Sequence, residues 1–103
     1  MADLVLIEWQ DSRQPCGSWK HLSGDHEWEP VKCVSVGWLV ADDGQKKVLA
    51  PNMGDIDDAS NMQLSGEIVI PSACVISVKR LTETTFSASS AEHAGSMQKP
   101  QPA

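Results

Sequence analysis

At 103 residues, with 41% hydrophobic and 21% charged, the chain has the size and balance of one globular domain with a thin core. A net charge of −6 opposes a dedicated nucleic-acid binder, which draws most of its affinity from Lys and Arg on phosphates. The absence of an apolar run of about 18 residues excludes a transmembrane helix, MADLVLIEW lacks the basic flank of a secretory signal, and three irregularly spaced cysteines suit a reducing cytoplasm.

Leu4 to Trp9 is an apolar, β-branched-rich run ending in Gln10-Asp11-Ser12, which predicts a strand leading into a turn. Residues 11–30 read as a long loop punctuated by Pro15, Gly17, Gly24 and Pro30, with Ser18 to Leu22 a short strand or a single helical turn. Val31 to Ala41 carries the strongest strand signal. Val34, Val36, Trp38 and Val40 alternate onto one face, and this pattern places Trp38 in the core. Gly37 marks a bend or bulge in that strand. Asp42-Asp43-Gly44 is a hairpin turn, and Lys46 to Ala50 returns from it. Residues 51–66 read as an acidic loop. Glu67 to Ile70 is a strand, Pro71-Ser72-Ala73 a tight break, and Cys74 to Leu81 the last strand. From Glu83 the chain turns rich in Ser, Thr and Ala, a composition that cannot bury enough apolar surface to offset chain entropy.

This order predicts an all-β fold, a five-stranded small barrel over residues 1–82, with a disordered tail over 83–103. SGEIVIPSACVISVKRL resembles the end of a Src-homology-3 domain, with Gly66, Ile70, Pro71, Ser72 and Val75 in matching order. The same stretch, with GWLVADDGQKKVLA, is similar to Sm-like proteins. The Src-homology-3 resemblance implies peptide recognition, but the Tyr that should stand beside Pro-Ser is replaced by Ala73 or Cys74. The Sm-like resemblance implies a ring and RNA binding, and the acidic balance speaks against the RNA. A third resemblance is to small uncharacterised proteins of bacteriophages and prophages. It rests on Trp9, Asp11, Ser12, Gly17, Trp19, Cys33, Ser35, Val36, Gly37, Trp38, Ile70 and Pro71.

Three tryptophans are the candidate ligand-binding residues. Trp9 ends a strand beside Asp11 and Ser12, and Trp19 and Trp28 sit in the long loop, Trp28 between Glu27 and Glu29. Rings beside carboxylates suit a cationic or nucleobase ligand; the alternative is a second small core over the barrel's end. Asp11 and Ser12 could read the ligand or close a local turn. Cys16, His21, His26 and Cys33 lack the paired spacing of a zinc site. Residues 55–66 have Ser60 and Gly66 where a calcium loop needs Gly and Glu, so no metal is expected.

The reading that follows is a non-enzymatic, phage-type accessory protein of the bacterial host cytoplasm, needing no cofactor. It self-associates through its last two strands (Ile68, Ile70, Val75, Ser77, Lys79) and engages a host protein or a small ligand such as a nucleotide. The alternative is an Sm-like RNA- or DNA-binding or peptide-binding module.

Overall fold

The computed structural model describes residues 2–85. In chain order its elements are β1 (Leu4–Asp11), β2 (Val31–Asp42), β3 (Lys46–Ala50), β4 (Asn52–Gly54), β5 (Gln63–Ser65), β6 (Ile68–Pro71), a 3-10 turn (Ser72–Cys74) and β7 (Val75–Arg80). Five strands form one antiparallel sheet in the order β6-β3-β2-β1-β7, and β4 and β5 form a separate ribbon.

The all-β expectation holds, but the sheet is not closed into a barrel, because β6 and β7 do not pair. Pro71 lacks an N–H, and the 3-10 turn after it sends β7 across to β1. The sheet is nonetheless rolled. In a flat five-stranded sheet the outer strands lie about 19 Å apart. The link from Pro71 to Val75 spans at most about 14 Å when extended, and its 3-10 turn shortens it further. The turn is held over the β2–β3 hairpin, where the Ser72 N–H donates to the Gln45 carbonyl at 2.9 Å.

The roll depends on β2. Its first part pairs with β1, its last part with β3, and Trp38 stands opposite both Leu4 and Ala50. The register then shifts between Leu39 and Ala41, a bulge that bends the strand. A Cβ on Gly37 would lie 3.0 Å from the Ala50 carbonyl oxygen and 3.3 Å from its nitrogen. Those are backbone atoms, so any side chain at Gly37 would have to push the β2 and β3 backbones apart by a few tenths of an ångström.

Val5, Ile7, Leu49 and Ile70 are the buried centre, with Trp9, Leu39, Ile68 and Val75 packed around them. The inward face of β2 is the reverse of the expected one. Cys33, Ser35, Gly37 and Leu39 turn toward the core side, whereas Val34 and Val36 are exposed and Trp38 is only half-buried. Val5 and Ile7 of β1 share the core with Leu49 and Ile70, and β2 adds Leu39 to it and the small Cys33, Ser35 and Gly37 alongside.

Two loop expectations also change. Ser18 to Leu22 forms neither strand nor helical turn, and residues 51–66 contain the β4–β5 ribbon. The expected hairpin turn is present, and Asp43 is its anchor. Its carboxylate accepts from the Gln45 and Lys46 N–H groups at 2.8 and 2.9 Å and from Lys46 Nζ at 2.8 Å. These bonds, the Lys46 ammonium foremost, hold the Asp43 carboxyl down to about 2. The lowered value favours the folded form fully above about pH 4, and the effect fades as pH falls toward 2. Residues 81–85 have no regular structure, and the rest of the expected tail lies outside the described residues.

Gly37→Val should lower stability by about 1–3 kcal/mol in urea unfolding. Gly44→Ala, whose Cβ would meet nothing within 4 Å, should change it by less than about 0.5 kcal/mol. Equal stabilities would show that the β2–β3 approach is not tight.

Candidate functional site

The longest irregular segment among the described residues, 12–30, is anchored where β1 and β2 pair at Asp11 and Val31. Just beyond, the Arg13 Nε–H donates to the Glu29 carbonyl at 2.9 Å and ties the two arms of the loop together. Deeper in the loop, His26 Nε2–H donates to the His21 carbonyl at 2.8 Å. The His26 ring stacks on Trp28 at 4.3 Å with an interplanar angle of 6°. That stack covers one face of the Trp28 indole.

Between the arms lies an open cleft of about 450 Å³ whose lining includes Arg13, Cys16, Trp19, Lys20, Trp28 and Glu29. Arg13 and Lys20 are the only Arg or Lys residues between positions 1 and 31, and both line it. Against one carboxylate, Glu29, they make the cleft locally positive in a chain of net charge −6. The Cys16 thiol is exposed and held below its usual range, chiefly by the backbone N–H and hydroxyl of Ser18 and then by Lys20.

The structure therefore divides the five expected ligand-binding residues. Trp19 and Trp28 line the cleft, and Trp19 is 101% exposed, so the protein leaves its ring free. Trp9 does not join them. It packs against the core, and its indole N–H donates to Ser35 Oγ at 3.0 Å. Asp11 accepts from the Ser12 N–H at 2.7 Å, a local turn contact, and neither residue lines the cleft. Arg13, Cys16 and Lys20 were not among the expected site residues. Their signal in the sequence was the confinement of the N-terminal cations to one loop.

The expected interface residues are also divided. β6 and β7 are the free edges of the sheet, as anticipated. Ile70, however, is fully buried, and Ile68 and Val75 pack on the core, so these side chains are occupied. Ser77 donates to Glu8 Oε1 at 2.6 Å, and Lys79 is exposed. The Ser77 bond, then Lys79 and Lys32, lower the Glu8 carboxyl below its usual range.

Among the described residues no group of three or more His, Cys, Asp or Glu converges as a metal site would require. In the acidic loop, Asp58 is engaged by Ser60 and Asn61. No described helix is long and apolar enough to cross a membrane. No family model, curated protein or solved structure matches the chain.

With its thiol pKa lowered and its side chain exposed, Cys16 should be alkylated by iodoacetamide at neutral pH well before the half-buried Cys33 and Cys74, read by peptide mass spectrometry. Ser18→Ala should slow Cys16 alone. Equal reactivity of the three thiols would contradict the described cleft.

Proposed function

We propose that this chain is a small, non-enzymatic binding protein whose loop cleft takes a flat, anionic small molecule, with a nucleotide as the type. In this reading it is an accessory protein of the phage kind, working in the host cytoplasm as a self-associating module. The observation that carries it is the meeting of two tryptophans and the loop's only two strong cations in one cleft. A ring can stack on Trp19 or on the uncovered face of Trp28. Arg13 and Lys20 can pair with phosphate, and Glu29 can accept from a base or ribose. The strand order and the 3-10 turn before the last strand support an open relative of the Src-homology-3 or Sm-like barrel.

Stacking contributes roughly 1–3 kcal/mol per base, and a hydrogen bond to a charged group about 1.5–3 kcal/mol. One stack and two such bonds must exceed an association cost of at least about 4 kcal/mol. Affinity for a simple nucleotide is therefore modest unless the loop is held rigid.

Titrating the full chain with mono-, di- and cyclic nucleotides to millimolar concentration should quench tryptophan fluorescence and slow Cys16 alkylation. Arg13→Gln should weaken binding roughly tenfold or more without lowering Tm, and the ligand should be recovered unchanged. No binding, or binding indifferent to both Arg13→Gln and Trp28→Ala, would contradict the proposal. Turnover of the ligand would contradict its non-enzymatic part.

A further inference from the structure

Val34, Val36 and Trp38 of β2 face away from the chain's own core. Val34 and Val36 are 59% and 48% exposed. The strand register sets them on one face with Leu4, Leu6 and Trp38, all half-buried. Across β1 and β7 the same register adds Glu8, Ser77 and Lys79 to that face, and Lys32 continues it along β2. No charged residue interrupts the apolar strip from Val34 to Trp38. A contiguous exposed apolar strip with a polar margin is the mark of an interaction surface.

We infer that a second copy of this chain covers this outer face of β1, β2 and β7. The inference rests on the self-association in the functional reading above and is independent of the loop cleft. Charge selects the occupant. The face carries one acid, Glu8, with Lys32 and Lys79 flanking it. That arrangement complements itself: it is too weakly basic for a nucleic acid and too mixed for a partner of one charge. A two-fold axis across the strands, midway between the Glu8 and Leu6 levels, lays the second copy antiparallel. Val34 then sits over the second copy's Val36, and Glu8 lies one strand spacing from the second copy's Lys79. Ser77 fixes the Glu8 carboxylate in place for that contact, through its 2.6 Å hydrogen bond. Sheets packed this way interdigitate at about 10 Å, a gap that a lysine side chain can bridge. The contact is isologous, so it closes at two copies.

The face is small. Three strands by four residue levels cover at most roughly 400 Å² per copy on this convex face, about half of what a standard stable interface buries on each side. The dimer is therefore weak and reversible, and its occupancy depends on concentration.

Sedimentation velocity of the full chain from about 10 µM to about 1 mM should show a monomer–dimer equilibrium. Val34→Thr with Val36→Thr keeps β-branched residues in the strand and should raise the dimer Kd at least about tenfold with Tm retained. Val69→Thr, on the exposed β6 edge, should leave Kd unchanged. Glu8→Lys should weaken the dimer, and adding Lys79→Glu in the same chain should restore it. A monomer at every concentration overturns both this inference and the self-association it rests on. A dimer indifferent to the Val34 and Val36 changes, or lost instead with Val69→Thr, overturns this surface alone. If the double valine variant fails to fold, the Glu8 and Lys79 exchange decides: failure to recover the dimer overturns the inference.

Discussion

The closest constraint in the molecule is the approach of Gly37 to the backbone of Ala50. A single long strand, β2, serves two neighbours, changing from β1 to β3 at Trp38, and the missing side chain of Gly37 beside that point lets the two strands approach closely. From that point the other features follow. Ala50 is fully buried beneath the crossing, and Leu49 beside it reaches the same small core as Val5 and Ile7 from β1. The short link through Ser72–Cys74 then has two edges close enough to join. A core of so few residues leaves little margin, so one overpacked position at the crossing should be felt throughout the sheet.

The cleft joins this scaffold at the Asp11–Val31 pair, and the Arg13–Glu29 bond ties the loop's two arms together just beyond it. Beyond them the loop makes its own contacts, such as the His26–Trp28 stack and the His26–His21 hydrogen bond. The rigid sheet sets where the loop begins and ends, and the loop's own side chains set what it can hold. Binding residues on a loop carried by a rigid sheet are a common division of labour. It also explains why Trp9, near the same end of the molecule, belongs to the other part. Its indole is bound to Ser35 inside the sheet and is not available to a ligand.

Much of the strand layout was legible because period-two alternation and turn chemistry are local. The Asp43 hairpin stands where its residue types require it, the chain breaks at Ser72–Cys74 just after Pro71, and the bend expected at Gly37 lies two residues on, between Leu39 and Ala41. Alternation does not say which face meets the core, and the bulk of Val34, Val36 and Trp38 points to the wrong one. That choice is decided by how much room the roll leaves after Ile7 and Trp9 are placed, a tertiary fact. Barrel closure failed for a similar reason, since it depends on where β7 goes after three residues of 3-10 turn. The β4–β5 ribbon was invisible because Asn-Met-Gly and Gln-Leu-Ser have no β-branched residue to announce a strand. In the site, the tryptophans stood out by type, but only the fold showed that Trp19 and Trp28 share a cleft with Arg13 and Lys20 while Trp9 does not.

Amide hydrogen exchange followed by NMR tests the crossing most directly. If Gly37 and Ala50 join the two halves of the sheet, the hydrogen-bonded amides of β1, β2 and β3 open together at one free energy. Residues 12–30 would then exchange at rates close to those of an unfolded chain. Exchange in β3 far faster than in β1 would mean that the halves open independently, and it would contradict the account.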